Sequence, residues 1–154
     1  MRLDVLCVCR RPPRWVVEVT ADYARRLPRG IELSFHYVAP GGDALASVER
    51  RRDEAARVLK RLRAGTPVVA LDVGGDEVDS PGVARWLSDW RARDAELAFV
   101  VGGADGHGDA VLERSRQRWS LSRLTLPHLL VQVVLAEQIY RAWTILDGHP
   151  YHRA

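Results

Sequence analysis

Cysteine is scarce in this chain: Cys7 and Cys9 are the only two in 154 residues. They stand two apart in an apolar run with no Cys-x-x-Cys motif, which excludes a disulfide framework and a cysteine-held zinc site. Lysine is scarcer still, because Lys60 is the single lysine among 23 basic residues. No Gly-x-Ser-x-Gly elbow and no catalytic-cysteine motif occurs, so covalent hydrolase chemistry is not expected. There is no internal repeat and no low-complexity segment. The apolar run near the amino terminus, flanked by Asp4 and Arg10, is too short for a signal peptide. The long apolar run after Pro127 is interrupted by Gln132, Glu137 and Gln138, so it does not read as a membrane span. A soluble protein of a reducing cytoplasm, with no membrane partner, is the expectation.

What the chain does contain is a core. Hydrophobic residues make up 47% and charged residues 28%, with a formal charge of +3; this is the composition of a globular protein. The length suits a single domain, residues 1–154. Arginine binds phosphate through a planar two-toothed fork, so the arginine-rich balance permits a nucleic-acid partner without demanding one.

Short apolar runs at Leu3 to Val8, Ile31 to Val38, Val68 to Val73 and Leu97 to Val101 read as buried strands. Helical stripes lie between them: Trp15, Val16, Val19, Tyr23 and Leu27; then Leu45, Val48, Ala55, Leu59 and Leu62; then Val83, Trp86, Leu87 and Trp90 after a Ser80-Pro81 start; then Asp109 to about Arg118. The second of these helices carries many arginines, read mainly as a solvated face and secondarily as a surface for RNA. Strand and helix alternate throughout. That pattern predicts an α/β fold, a three-layer domain with a mostly parallel sheet, whose ligand site lies beyond the carboxyl ends of the strands.

The final third is organised around Ser120-Leu121-Ser122-Arg123-Leu124-Thr125-Leu126-Pro127-His128 and the apolar helix that follows to Leu146. Pro127 fixes a backbone angle where a helix should begin at about His128. Glu137 and Arg141 are spaced as an ion pair, whereas Gln132 points into apolar surroundings. So long an apolar helix in so small a protein invites a second subunit to cover it. Three segments meet at the carboxyl-end rim: Leu71 to Gly75, Gly102 to Gly108, and Ser122 to His128. The glycine-rich one differs from the dinucleotide fingerprint in glycine spacing, follows the fourth strand, and lacks a P-loop lysine. His149 and His152 are three apart, but no carboxylate or cysteine pattern accompanies them, so no metal site is expected.

Four motifs carry a resemblance to a known family: Val-Gly-Gly-Ala-Asp-Gly at 101–106, Trp-Ser-Leu-Ser-Arg-Leu-Thr-Leu-Pro-His at 119–128, Ala-Glu-Gln-Ile-Tyr-Arg-Ala-Trp at 136–143, and His-Pro-Tyr-His-Arg at 149–153. With them the chain resembles, from end to end, the small bacterial SPOUT-superfamily (α/β-knot) RNA methyltransferases of the RlmH type. The resemblance implies transfer of a methyl group from S-adenosylmethionine to N(3) of a pseudouridine in a hairpin loop of large-subunit ribosomal RNA, free or in the assembled ribosome. It also implies a homodimer and a C-terminal trefoil knot. It places the cofactor on Leu71, Gly103, Ser122, Arg123, Leu124, Thr125, Leu126 and Pro127, and it puts His128, Tyr151, His152 and Arg153 near the methyl acceptor, as candidate catalytic groups. The chain departs from the pattern at Cys9, where glycine is usual, at Leu129, where proline is expected, and at Gln132, where arginine is expected. Two other readings remain open on the residues alone: a Rossmann-like nucleotide-dependent oxidoreductase using the glycine loop, and a non-catalytic ribosome-binding module on the same fold.

Overall fold

The computed structural model describes residues 1–93 and 95–152. Five strands, Arg2–Val8 (β1), Glu32–Val38 (β2), Val68–Glu77 (β3), Glu96–Val101 (β4) and Gln117–Ser120 (β5), alternate with the helices Arg14–Arg26 (α1), Ser47–Arg61 (α2), Ser80–Arg91 (α3), Asp109–Arg114 (α4) and His128–Leu146 (α5). A short 3-10 turn, Pro150–His152, ends the described chain. The strands form one sheet in the order β2-β1-β4-β3-β5, and every pairing is parallel.

The near-continuous apolarity of the strands has a simple cause: both faces of the sheet are covered. Leu3, Val5 and Cys7 of β1 join Leu97, Phe99 and Val101 of β4 in a core with α1, α3 and α5. Leu6 and Val8, one residue out of phase, join Ala98 and Val100 in a second core with α2 and α4. Each strand thus serves two cores by simple alternation.

Several helix boundaries and faces differ from the sequence reading for local reasons. Asp79, not Ser80, caps α3: its side chain accepts the Gly82 backbone N–H at 2.7 Å, with Pro81 inside the first turn. Helix α4 stops at Arg114, not near Arg118, because Arg116 already donates its backbone N–H to Val68 at 2.8 Å and β5 starts at Gln117. Trp15 and Val48, both expected on inner stripes, are exposed at 45% and 66%. Thr20 and Glu54 are buried in the same two helices.

The arginines of α2 are largely occupied. Arg57 donates to the carbonyls of Ala39 and Pro40, and Arg61 donates to that of Tyr37. Arg50 donates to the carbonyls of Asp43 and Leu45 and pairs with Asp105 at 2.9 Å. The helix's inner edge therefore fastens the loop after β2 to the sheet.

Strand β3 does not end at Gly74. It bulges between Leu71 and Asp76 and then pairs again with β5, Asp76 opposite Trp119 and Glu77 opposite Ser120. The bulge lifts Asp72 and Val73 out of the ladder at the carboxyl-end rim, as bulges beside functional sites commonly do.

Helix α5 has the length and apolarity of a membrane span, with mean hydropathy 1.2. It packs against α1, α3 and β4, burying Leu135, Ala136, Ile139 and Ala142 in the first core. The Glu137–Arg141 pair forms as its spacing requires, at 2.7 Å. Gln132 is fully buried, and neither its Nε2 nor its Oε1 has a hydrogen-bond partner among the described residues. A buried amide without partners opposes folding, and replacing it by an apolar side chain of similar shape removes that cost. Gln132→Met should therefore keep or raise unfolding free energy, by about 1 kcal/mol. A denaturant titration showing a loss above roughly 2 kcal/mol would mean that the amide has a partner in solution.

Candidate cofactor-binding cleft

A cleft of about 510 Å³ opens at the carboxyl ends of β3, β4 and β5. Its lining comes from the β3 bulge, the glycine-rich loop, the turn after β5 and the first turn of α5. Among the residues that the sequence points to, Leu71, Gly103, Ser122, Leu124, Thr125, Leu126, Pro127 and His128 all line this one space. Arg123 does not line it. Its side chain is 86% exposed and reaches Glu77 at 2.7 Å.

Local chemistry explains the shape of the turn. Ser120 Oγ donates to the Ser122 carbonyl at 2.9 Å, and Ser122 Oγ accepts from the Leu124 backbone N–H at 2.9 Å. Short hydroxyl side chains thus replace the backbone pairing lost after β5. Pro127, at the N-cap of α5, then sends the helix down from the rim.

The glycine-rich loop is shaped by close approach. A Cβ on Gly102 would lie 2.9 Å from the Gly106 backbone, and one on Gly103 would lie 2.9 Å from Glu54 Oε2 and 3.1 Å from Val8 Cγ1. Gly106 adopts φ +82°, a region that L side chains avoid. A ligand in the cleft therefore meets backbone on this side, with the Asp105 carboxylate held back by Arg50.

Two residues at or under the cleft were not singled out by the sequence, although His107 falls within the Gly102 to Gly108 segment. Glu54 is buried beneath the loop, where its Oε1 accepts the Gly41 N–H at 2.9 Å. Its signal was a position beside Ala55 on the inner stripe of α2. His107 lines the cleft, and its Nε2 lies 2.8 Å from the Leu71 carbonyl. A carbonyl only accepts, so Nε2 carries the hydrogen. The bond ties the glycine loop to the end of β3.

Burial lowers the His107 pKa below its ordinary value of 6.5, against opposing contributions from the Leu71 bond and Asp72. The unfolded chain protonates near 6.5 and the folded one only at lower pH, so His107's contribution is whole above about 6.5 and is lost as pH falls towards the folded value. Denaturant midpoints from about pH 7.5 to about pH 5 should fall in the wild type and fall less in His107→Asn. Equal slopes would remove His107 as the cause.

Of the tail groups, Tyr151 lies elsewhere in a single chain. Tyr151 Oη donates to Glu137 Oε1 at 3.2 Å and lies 3.3 Å from Tyr23 Oη, and its ring packs on Tyr140 at 4.8 Å. It is not among the cleft residues. Burial, then the bond with Tyr23 and the charge of Glu137, push its pKa up, so the phenol stays protonated and acts as a donor. Only the backbone of His152 is described, and Arg153 lies outside the described residues. Among the described residues no cluster of three or more His, Cys, Asp or Glu side chains is placed to hold a metal ion.

The loop follows β4, whereas a dinucleotide-binding fold carries its glycine loop after the first strand. Comparison with known proteins then decides the family. A family model described as "Predicted SPOUT methyltransferase" matches residues 1–152. This chain belongs to the SPOUT methyltransferase family. Curated relatives match over full length. The chain is 46% identical to the ribosomal RNA large subunit methyltransferase H of Alkalilimnicola ehrlichii, with 100% of both chains covered. It is 44% identical to the protein of that name from Methylococcus capsulatus, over 99% of this chain and 100% of the relative. The Hahella chejuensis protein of the same name is 42% identical, with 99% of each covered. The cleft's volume lies in the range of small-molecule sites, and its walls combine apolar side chains with open backbone.

Proposed function

We propose that this chain is an S-adenosylmethionine-dependent methyltransferase that modifies N(3) of a pseudouridine in a hairpin loop of large-subunit ribosomal RNA. The observation that carries the reading is the convergence of three separate segments on one cleft, in a chain whose full-length relatives are named as methyltransferases of that RNA. Leu71, Gly103, Ser122, Leu124, Thr125, Leu126 and Pro127 hold the cofactor, with Arg123 at the outer edge of the same turn. S-adenosylmethionine supplies a methyl group already activated on a sulfonium.

The protein's remaining work is alignment, exclusion of water and removal of one proton. His128, at the cleft and at the start of α5, is the candidate base for the ring N–H. Tyr151, His152 and Arg153 act on the acceptor side, where a protonated phenol donates and an arginine faces phosphate or the developing anionic base.

Tyr151 sits away from the cleft of its own chain, which supports a homodimer in which the tails and clefts of two copies work together. Exposed Trp15 and Val17 on α1 and Leu130 and Leu146 on α5 give a second copy apolar surface to cover, since these two helices pack side by side. The proposal includes a cytoplasmic enzyme of one domain, whose last strand and helix thread a loop as a trefoil knot. Purified protein incubated with labelled S-adenosylmethionine and ribosomes or large subunits should incorporate methyl at one nucleotide, mapped as a pseudouridine. Cofactor binding without incorporation would instead make the chain a non-catalytic ribosome-binding module.

A further inference from the structure

We propose that Arg10 and Arg11, in the turn between β1 and α1, form the phosphate grip that seats the substrate RNA over the cleft; this rests on the function proposed above. The first observation is position. Strand β1 pairs with β4 with Cys7 opposite Val101, and Val8 Cγ1 lies 3.1 Å from where a Cβ on Gly103 would sit. Gly103 lines the cleft. Arg10 follows Val8 by two residues, about 7 Å of extended chain. The turn therefore stands on the carboxyl-end rim beside the glycine loop.

The second observation is availability. Three arginines around the cleft are committed, Arg50 to Asp105, Arg51 to the Asp105 carbonyl and Arg123 to Glu77, whereas Arg118, next to the cleft-lining Trp119, is exposed and uncommitted among the described residues. Arg10 and Arg11 are exposed, with no carboxylate, carbonyl or ring partner among the described residues. A guanidinium already paired inside the protein must break that pair to reach a phosphate, and these two need not.

The third is stiffness. The Cys9 backbone N–H donates to the Val38 carbonyl at 2.9 Å, and Pro12 and Pro13 directly follow the two arginines. Proline fixes φ and holds the residue before it extended, so the two guanidinium groups are offered from a backbone that loses little freedom on binding. Two adjacent forks on a rigid turn suit successive phosphates of a partly single-stranded loop whose target base enters the cleft.

The test compares two double variants that remove equal charge. Arg10→Ala/Arg11→Ala acts at the carboxyl-end rim. Arg29→Ala/Lys60→Ala acts towards the amino ends of the strands, on residues that are also exposed and unpartnered among the described ones. The probes are a fluorescein-labelled large-subunit hairpin RNA, read by anisotropy against salt, and large ribosomal subunits with labelled S-adenosylmethionine. The rim variant should bind RNA at least roughly tenfold more weakly, with the slope of log affinity against log salt reduced by about 1 to 2. Its KM for the subunit should rise while kcat and S-adenosylmethionine affinity hold, and Arg10→Lys/Arg11→Lys should recover most of the salt slope. Wild-type affinity and slope in the rim variant, or an equal loss in the amino-end variant, would overturn the grip. Absence of methyl incorporation by the wild type would sink the proposed function instead, and the anisotropy comparison would still decide the grip.

Discussion

Gly75→Ala is expected to destabilise the fold by roughly 3 kcal/mol or more and to take cofactor affinity with it. A Cβ at Gly75 would lie 2.6 Å from the Arg118 carbonyl carbon, 2.7 Å from its oxygen and 2.8 Å from Trp119 N. All three are backbone atoms, so no rotamer change relieves the contact. The strands must separate, which breaks the pairing of Asp76 with Trp119 and of Glu77 with Ser120. Trp119 is also fixed among Trp86 and Phe99, at centroid distances of 4.8 and 5.7 Å. Any shift of β5 is then carried into the Ser120–Ser122 brace and the cleft. Gly74→Ala is the matched control: its Cβ would meet Asp72 Oδ2 at an ordinary 3.6 Å. Chemical denaturation should show a large loss for Gly75→Ala and less than about 1 kcal/mol for Gly74→Ala. Equal effects would mean that the close approach is not what demands glycine.

Ending the chain at Gly148 should reduce methyl transfer by at least roughly 100-fold, the scale of losing a positioned proton-transfer or charge-stabilising group. The cost to stability should be only about 2 kcal/mol, because the described part of the tail contributes two ring contacts, Tyr151 on Tyr140 and His149 beside Trp143, the Arg141 guanidinium over the Tyr151 ring, the His149 N–H to Thr144 and the bonds of the Tyr151 hydroxyl. The proposed dimer should survive, since α1 and α5 are untouched. Sedimentation, denaturation and turnover on large subunits separate these effects. Full activity in the shortened protein would remove the tail from the reaction. Tyr151→Phe distinguishes ring from hydroxyl: it keeps the packing on Tyr140 and loses the donor to Glu137.

The strands and the start of α5 were legible because burial on two faces and a proline at a helix start leave local marks. Val68 to Leu71 and Leu97 to Val101 are apolar on both sides of the pleat. Pro127-His128 marks where α5 begins, and Glu137–Arg141 follows from helical spacing alone. The inner faces of α1 and α2 were less legible. Trp15 and Val48 are apolar yet exposed, because each lies in the first turn of its helix, at the rim beyond the sheet's cover. The tail motif showed which residue types the chain carries there, but nothing about distance from the cleft.

By itself the sequence determined the alternation of strand and helix, the three rim segments and the family motifs, since each is written in contiguous residues with a fixed period or spacing. Only the tertiary structure decided that β3 bulges and resumes beside β5, that Glu54 lies under Gly103, that His107 ties the loop to Leu71, and that Tyr151 rests on Tyr23 and Glu137. The physical reason is the same in each case: these are contacts between residues far apart in the chain, set by how sheet and helices pack, and neither propensity nor periodicity along the sequence encodes that distance.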